Sequence, residues 1–365
     1  MYLLIGLALF CLIIWAFERF YLRGSRPGEH PKPTTPGTLR AFTNPEGPGK
    51  PHEEVVKAVR ELTQQISFGM RRNDPQTARD VIDSMSDGRD YVSKFIPVDA
   101  GGVPAEWVIA PGANHSRRVL YIHGGGFIMG SPKSHRTITS RFSEITGCAV
   151  LAIDYRLLPE HKHMDCVADC RTSYQWILEN GPDGPGKITQ LFIGGDSAGG
   201  NLALSLIAWV RDNNLRAPEA VVALSPLTDT TFSGASILAN EATDVMLKPV
   251  MQPLNKLPQF LKSWWVVWAH RVRPANPVAS PLLGDLSGLP PTLVQASESE
   301  MLLDDARRYV YKACASGSPA KLQTWTDMVH VWQIFYPDLP QAAEAWVEIG
   351  KFLNERNDRD MSPRT

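Results

Sequence analysis

The sequence has little of what would mark several large classes of protein. Basic and acidic side chains are balanced, 37 Lys and Arg against 38 Asp and Glu, so the basic excess typical of a nucleic-acid-binding protein is missing. Five cysteines in 365 residues are too few for a disulfide scaffold, and their odd number leaves at least one unpaired. A composition with 43% hydrophobic and 21% charged residues excludes disordered, collagen-like and coiled-coil proteins. We therefore expect a globular protein with an ample core and no nucleic-acid partner.

The first segment has no charge over a long stretch. Residues 2–17 contain no charged side chain, and Glu18 and Arg19 follow them. A helix over residues 1–22 would be about 33 Å long, enough to cross a bilayer core of about 30 Å. A cleaved signal peptide is the alternative, but it needs a basic start and a small-residue cleavage site, and neither is present. We predict a single-pass transmembrane anchor over residues 1–23, with the membrane as its partner.

The flanking charges and the next segment predict how the main domain is held. Arg19, Arg23 and Arg26 lie only on the C-terminal side of the apolar run, and the positive-inside rule then places the main domain in the cytoplasm. Residues 24–51 hold seven prolines and five glycines and show no apolar periodicity. This composition predicts an extended linker.

Beyond the linker, strand and helix signals alternate. Short β-branched or apolar runs occur at residues 107–110, 119–122, 149–154, 191–193, 221–224 and 292–295. Helix-like stretches between them include residues 168–179, 198–212 and 303–315. This alternation predicts an α/β fold with a mostly parallel central sheet flanked by helices, in one domain over residues 52–356. Residues 357–365 are predicted to form a flexible tail.

A Gly-x-Ser-x-Gly pentapeptide lies where a strand signal changes into a helix signal. Gly195, Ser197 and Gly199 follow the run at 191–193 and precede an apolar helical stretch. Small residues permit a turn sharp enough to expose the serine hydroxyl, as a nucleophile elbow requires. A plain glycine-rich turn is the alternative. The strand–turn–helix context predicts Ser197 as the nucleophile.

A second glycine-rich element, His-Gly-Gly-Gly at residues 123–126, follows the run at 119–122. Three glycines leave backbone N–H groups uncovered, so these groups can bind the oxygen that gains charge in a tetrahedral intermediate. The N–H of the residue after the nucleophile would be a further donor. The spacing of the glycines excludes the common phosphate-binding loops. The predicted oxyanion hole consists of Gly124, Gly125, Gly126 and Ala198.

Three motifs in this order resemble those of the hormone-sensitive-lipase-like family of α/β hydrolases. They are His-Gly-Gly-Gly-Phe at residues 123–127, Asp-Tyr-Arg-Leu-Leu-Pro-Glu at 154–160 and Gly-Gly-Asp-Ser-Ala-Gly-Gly-Asn at 194–201. Leu158 and the tripeptide at 162–164 depart from the family's usual Ala and Pro-Phe-Pro, in a supporting loop. The resemblance covers about residues 51–354 and implies an α/β-hydrolase fold with carboxylesterase or acetyl-hydrolase activity. It also implies supporting roles for His123 and Asp196.

A seryl nucleophile needs a base, and the order of the triad in this fold is serine, acid, histidine. Only His270 and His330 follow Ser197 in the sequence. His270 follows an aromatic stretch at 264–268 that is typical of a cap or a core. His330 follows the strand-like residues 322–325 near the C-terminus, so we predict His330 as the general base.

The acid of the triad is less strongly marked by the sequence. Glu298, Glu300 and Asp304 all follow the run at 292–295. The family usually has Asp-Pro-Leu-x-Asp-Asp here, and matching Leu302 and the acidic pair at 304–305 places Glu300 on the family's acid. The resemblance therefore implies Glu300, with Asp304 and Glu298 as alternatives.

Two further stretches are expected to form a helical cap over the active site. They are the helical residues from about 52–90 and the residues from about 230–275, which have weak strand signal and many large apolar side chains. A second core layer is the alternative. An apolar cap would favour substrates with apolar acyl or alcohol groups.

These observations together predict hydrolysis of apolar, short-to-medium acyl esters, acetyl esters or lactones among them. A Ser197–His330–Glu300 triad would perform it without a cofactor. An acyltransferase or lactonase could use the same triad, whereas a non-catalytic ligand-binding protein of this fold is expected to have lost a triad member.

Histidine and cysteine cluster in one other place, at residues 161–170, and this cluster raises the question of a metal site. His161, His163, Asp165, Cys166 and Cys170 could supply ligands, but their spacing matches no standard zinc pattern. We therefore expect no metal.

Overall fold

The computed structural model describes residues 2–24 and 29–357. Its centre is a sheet of nine strands, which in chain order are β1 (Leu39–Phe42), β2 (Lys94–Asp99), β3 (Pro104–Ile109), β4 (Asn114–Ile122), β5 (Cys148–Ile153), β6 (Gln190–Asp196), β7 (Ala220–Leu224), β8 (Thr292–Ser297) and β9 (Ala320–Trp325). Their spatial order is β1-β9-β8-β7-β6-β4-β5-β3-β2. The pairs from β1 to β5 in this order are parallel, whereas β3 runs antiparallel to both β5 and β2. The predicted mostly parallel sheet is confirmed.

Helices cover both faces of this sheet. The α-helices are α1 (Tyr2–Ala16), α2 (Gly49–Arg71), α3 (Pro75–Asp83), α4 (Arg136–Thr146), α5 (His163–Glu179), α6 (Ser197–Asp212), α7 (Ser236–Ala239), α8 (Lys248–Asn255), α9 (Gln259–His270), α10 (Leu303–Ala315) and α11 (Pro340–Asn357). Short 3₁₀ turns occur at Ser84–Ser86, Lys133–His135, Pro281–Leu283 and Trp332–Phe335, and a small hairpin joins Asn180–Gly181 to Gly184–Pro185. One core layer packs α5, α6 and α10 against the sheet, and the other packs α2, α4 and α11. Every residue of β5, β7 and β8 is buried, as expected for strands covered on both faces.

The predicted transmembrane helix over residues 1–23 is wrong. Helix α1 has 15 residues, which is about 22 Å at 1.5 Å per residue and too short for a hydrocarbon core of about 30 Å. In the described part of the chain, no helix is both long and apolar enough to cross a membrane. The predicted single-pass membrane location is therefore wrong. The predicted cytoplasmic placement of the main domain depended on that helix and loses its basis.

The physical reason lies in the turn that follows α1. The backbone changes into a π-helical turn at Phe17–Leu22, and this turn packs against α9. The Glu18 side chain is fully buried there and accepts a hydrogen bond of 2.7 Å from the hydroxyl of Ser263. Arg23 forms an ion pair of 2.8 Å with the same carboxylate. Protein atoms, rather than lipid head groups, therefore surround the charged end of the segment.

The segment predicted as a linker, residues 24–51, also differs from the expectation. Strand β1 lies within it and pairs in parallel with β9, so that Leu39 is opposite Leu322 and Phe42 opposite Trp325. Helix α2 already begins at Gly49. The Phe42 ring stacks on the Trp325 ring with centroids 4.1 Å apart. The linker prediction failed here because a four-residue edge strand is too short to show a hydropathy period.

Helices occupy both stretches that were predicted to form a cap. Helices α2 and α3 lie in residues 52–90, and helices α7, α8 and α9 lie in residues 230–275. On α3, Arg79 donates to the Ile128 carbonyl at 2.9 Å and so joins this helix to the loop after β4. The role of these helices as a cap remains a prediction, and the predicted tail lies outside the described residues from position 358 onward.

Candidate active site

The sheet brings the predicted site residues to one edge. Strands β4, β6, β7, β8 and β9 contribute their carboxyl ends, which meet there because the strands are parallel. The strand ends are in register, with Ile122 opposite Gly195, Asp196 opposite Leu224, and Ser297 opposite Trp325. The loops that leave these ends hold residues 123–126, Ser197, Glu300 and His330.

Ser197 lies on a sharp turn between β6 and α6. Its φ of +51° is in the left-handed region, which is costly for a residue with a side chain. The flanking glycines make this turn possible: a Cβ on Gly199 would lie 2.0 Å from the Ile122 carbonyl oxygen, and one on Gly195 would lie 2.5 Å from the Gly199 oxygen. The Gly-x-Ser-x-Gly pattern is therefore required by backbone contact, and it leaves the serine half-buried at the edge of the sheet.

His330 and Glu300 form a buried pair. The Nδ1 atom of His330 lies 2.7 Å from Oε2 of Glu300, and the second carboxylate oxygen accepts a hydrogen bond of 3.0 Å from the Ser297 N–H. Burial alone would lower the pKa of His330, but the hydrogen bond and charge of Glu300 raise it above its ordinary value. The Nε2 atom of His330 is buried and has no hydrogen-bond partner among the described residues. The carboxylate fixes which ring nitrogen remains able to accept a proton.

The competing acids and the competing histidine have other partners. Asp304 accepts a hydrogen bond of 2.9 Å from the Ser236 N–H on α7, and Glu298 forms an ion pair with Arg307. The Nδ1 atom of His270 lies 3.5 Å from that of His163. Of the candidates considered from the sequence, only Glu300 is hydrogen-bonded to His330.

The glycine loop differs from the prediction at one position. The N–H of Gly124 donates to Oδ1 of Asp196 at 3.0 Å, so it is not available to a substrate oxygen, and its predicted role as an oxyanion donor is wrong. The N–H groups of Gly125, Gly126 and Ala198 donate no hydrogen bond within residues 2–24 and 29–357. Ala198 lies in the first turn of α6, where N–H groups have no acceptor inside the helix.

His123 and Asp196, the predicted supporting residues, lie beneath this loop. Asp196 is 2% exposed and accepts a second hydrogen bond, 2.5 Å long, from the hydroxyl of Tyr121. The His123 ring stacks on Tyr155 with centroids 4.3 Å apart, and the Tyr155 hydroxyl donates to the His123 carbonyl at 2.9 Å. Burial, followed by the charge of His135, lowers the pKa of His123 to about 3. His123 is therefore a neutral packing residue.

Residues that no sequence motif marks hold the loops of Glu300 and His330 in place. The Asn240 side-chain amide donates to the carbonyls of Glu298 and Glu300 at 2.9 and 2.8 Å, and Asp244 accepts the Met301 N–H at 2.8 Å. The Ser225 hydroxyl accepts a hydrogen bond of 3.3 Å from the Val331 N–H. Ser225 directly follows β7, and its position at a strand end was the one available signal. Asn240 and Asp244 lie in a region without any pattern.

The residues considered as metal ligands have separate surroundings. The His163 ring lies edge-on to Phe127 with centroids 4.8 Å apart, and the thiol of Cys166 donates to the Lys162 carbonyl. Across the ranges that the structure covers, no group of three or more His, Cys, Asp or Glu side chains is arranged to hold a metal ion.

Known proteins with similar sequences and structures are hydrolases. A sequence profile of an α/β-hydrolase-fold family, Abhydrolase_3, matches residues 119–334. An acetyl-hydrolase of Streptomyces hygroscopicus is 37% identical over 70% of this chain and 81% of that protein. The carboxylesterase/phospholipase LipF of Mycobacterium tuberculosis is 34% identical over 71% of this chain and 69% of that protein. The crystal structure of an esterase from the bacterial hormone-sensitive lipase family superposes with a TM-score of 0.71 at 34% identity, covering 85% of this chain and 99% of that one.

Proposed function

The chain belongs to the hormone-sensitive-lipase-like family of α/β hydrolases and is a serine carboxylesterase, and from that premise we propose which residues perform the hydrolysis. The nucleophile is Ser197, the general base is His330 and the orienting acid is Glu300. The observation that supports this assignment is the buried contact of 2.7 Å between His330 and Glu300, which leaves the other ring nitrogen without a hydrogen-bond partner in the part of the chain that the structure describes.

In the first half of the reaction, the Ser197 oxygen attacks the ester carbonyl carbon while His330 Nε2 accepts the hydroxyl proton. The resulting imidazolium is stabilised by the Glu300 carboxylate, which holds Nδ1–H. Collapse of the tetrahedral intermediate breaks the bond to the alcohol oxygen, and His330 returns the proton to that oxygen. The alcohol leaves, and the acyl group remains on Ser197.

In the second half, a water molecule attacks the acyl-enzyme and His330 takes the water proton. The carboxylic acid leaves and the proton returns to Ser197, so the enzyme is regenerated. The developing negative charge is bound in both halves by the N–H groups of Gly125, Gly126 and Ala198. Because these donors are backbone groups on a packed loop, they need little reorganisation when the charge forms.

We extend the proposal to the substrate class, which is apolar esters with short to medium acyl chains. The name of the Streptomyces relative indicates acetyl transfer to water by that protein. The residues Trp264 and Trp265 on α9 lie in the stretch predicted to be a cap and are each 37% exposed, and Trp268 on the same helix is 71% exposed. Such a cap favours apolar acyl groups and offers few polar contacts to charged ones.

The experiment compares the wild type with Ser197→Ala on p-nitrophenyl esters from acetate to palmitate. We expect the variant to lose at least about three orders of magnitude in kcat because the covalent intermediate cannot form. Circular dichroism should be unchanged. Ser205→Ala, on the same helix α6, is the matched control and should keep wild-type turnover. Wild-type-like hydrolysis by the folded Ser197→Ala protein would exclude the assigned nucleophile.

A further inference from the structure

A buried histidine that the mechanism above does not use lies beneath the oxyanion loop. His135 ends the 3₁₀ turn before α4, and its side chain is 3% exposed. Its Nε2 atom lies 3.3 Å from Oδ2 of Asp196, the residue directly before the nucleophile. The other carboxylate oxygen of Asp196 accepts the Gly124 N–H. Asp196 therefore connects His135 on one side with the oxyanion loop on the other.

The hydrogen bonds around His135 indicate that both ring nitrogens carry protons. Its Nδ1 atom lies 3.3 Å from the Ser131 carbonyl oxygen and 2.9 Å from the Ser134 oxygen. The Ser131 carbonyl oxygen can only accept, so its contact with Nδ1 requires a proton on Nδ1, and the Ser134 oxygen lies within reach of the same proton. A carboxylate only accepts, so Nε2 must donate to Asp196. The ring is therefore an imidazolium.

Electrostatics agree with this proton count. Burial alone would lower the pKa of His135, but the charge and the hydrogen bond of Asp196 raise it above its ordinary value. Burial alone would raise the pKa of Asp196, and His135 lowers it. The two groups face each other across 3.3 Å with almost no solvent access, which is the arrangement of a buried ion pair.

With the triad and oxyanion hole proposed above as its basis, we infer that His135 is a positioning residue for the oxyanion loop. Its imidazolium keeps Asp196 ionised, and the Asp196 carboxylate holds the Gly124 N–H, from which the chain continues into the donors Gly125 and Gly126.

Close packing transmits this effect to the loop. A Cβ on Gly124 would lie 2.1 Å from Oδ2 of Asp196, so the loop backbone rests directly on the carboxylate and follows any shift of it. The positive charge of His135 has a second consequence. If Asp196 stays ionised when this charge is removed, an anion without a countercharge lies beside Ser197, close to where negative charge forms in the transition state, and opposes that charge. Both effects act on the transition state more than on the bound ester.

The first test is His135→Gln, which removes the positive charge but keeps a donor of similar reach. With p-nitrophenyl butyrate we expect kcat to fall about 10- to 100-fold, less than the loss of about 10²- to 10³-fold that follows complete removal of one oxyanion donor, while KM changes less than about threefold. An aliphatic trifluoromethyl ketone forms a tetrahedral oxyanion on the serine. Its inhibition constant should increase by a similar factor, because the variant binds this oxyanion less tightly. A histidine that merely supports the fold would not produce this separation of kcat from KM.

The second test asks whether His135 acts through Asp196. Asp196→Asn and the double variant complete a cycle, and we expect the double variant to be no slower than the more impaired single variant. Independent effects would multiply instead. The matched control is His115→Gln, because His115 also pairs with an aspartate, Asp183, at 2.6 Å, but on the surface and away from the site. That variant should retain wild-type kcat and KM.

When the variants fold, two results would overturn the inference: kcat within about twofold of wild type in His135→Gln, or losses that multiply in the double variant. If His135→Gln alone fails to fold while the double variant, which lacks both charges, folds, then the coupling between His135 and Asp196 is seen in stability. This result supports the inference. Failure of both to fold would indicate a structural histidine and overturn it. Ser197→Ala in the same assay separates the two proposals, since activity there contradicts the triad and leaves the role of His135 without a basis.

Discussion

Two glutamates are fully buried at opposite ends of the chain, and they differ in how they are held. Glu300 follows β8 at the edge of the sheet and contacts His330, which follows the neighbouring strand β9. Glu18 lies in the π-helical turn after α1 and contacts Ser263, 245 residues away on helix α9. Each carboxylate has one cationic or titratable partner and at least one further hydrogen-bond donor. Only the first has its partners placed by strand register.

This difference explains why the sequence predicts one environment and not the other. Parallel strands bring their carboxyl ends to one edge, so residues that follow strands in a known order can be expected to meet. A helix docked on another helix has no such rule, and the apolar run before Glu18 has the same hydropathy whether lipid, solvent or protein lies beside it. The charge of Glu18 is neutralised by Arg23 nearby in the sequence, but the burial of this pair against protein depends on a distant partner, here Ser263 on α9.

The largest effect is expected at Glu300, the buried glutamate whose partners are placed by strand register. Glu300→Gln should reduce kcat by about 10⁴-fold, because the amide no longer fixes the tautomer of His330 or stabilises its charged form. Its thermal midpoint should change little, since the amide can keep one hydrogen bond of the carboxylate. The measurement is kcat and thermal midpoint on the purified variant.

Asp304→Asn is the matched control for this prediction, because Asp304 lies one turn further along and binds α7. It should keep kcat within about threefold and lose at most about 1 kcal/mol of unfolding free energy as a first-turn helix carboxylate. A dead Asp304→Asn enzyme together with an active Glu300→Gln enzyme would reverse the assignment of the acid.

The same contrast marks how far the site could be predicted. The proposal of Ser197 and His330 follows from motifs and chain order, and that of Glu300 follows from the family pattern at a strand end. Gly124 was assigned wrongly because no motif shows that its N–H is already bound by Asp196. Asn240 and Asp244, which hold the loop of the acid, come from a region of irregular chain and short helices, where sequence spacing does not determine contact.

The fold shows the same division. The central strands β5, β7 and β8 are predictable because burial on both faces makes them continuous apolar runs. Strand β1 is not, because its stability comes from pairing with β9 rather than from its own four residues. The N-terminal helix was identified, but its length and the turn that ends it depend on docking against α9.

An intermediate effect is expected at the other buried glutamate. Glu18→Ala removes the acceptor for Ser263 and leaves Arg23, only 21% exposed, without its ion-pair partner. We expect a loss of about 2–3 kcal/mol in the free energy of unfolding, measured by urea titration, with kcat within about threefold of wild type. In this variant the free energy of unfolding, and not kcat, should change.

The control for this variant is Glu46→Ala, an exposed glutamate in the same N-terminal part of the chain, which should change stability by less than about 0.5 kcal/mol. Equal stability of the Glu18→Ala and Glu46→Ala proteins would mean that the docked turn contributes nothing to the fold. A large loss of kcat at unchanged stability would instead link the turn to catalysis and remove the contrast between the two glutamates.

The smallest effect is expected at two buried histidines, His163 and His270, whose surroundings differ from those of His330. His330 has a carboxylate partner that raises its pKa, whereas His163 on α5 and His270 on α9 have each other and the edge of Phe127. Burial lowers the pKa of His163 to about 4. Burial, and then the neighbouring His163, lowers the pKa of His270 to about 3. Both rings are therefore neutral in the folded protein at pH 7.

The sign of the pH effect follows from proton counts. Between the folded pKa values and the ordinary value of about 6.5, the unfolded chain binds more protons than the folded one, so stability falls as pH falls through this window. From pH 7 to pH 5.5 each histidine should contribute a loss on the order of 1 kcal/mol. His270→Asn should remove its share and give a shallower fall in urea stability, while Ser197→Ala should keep the wild-type slope. A His270→Asn protein with an unchanged slope would show that this ring is already solvated, and α9 would then be held to the catalytic body by the docked N-terminal turn more than by the histidine pair.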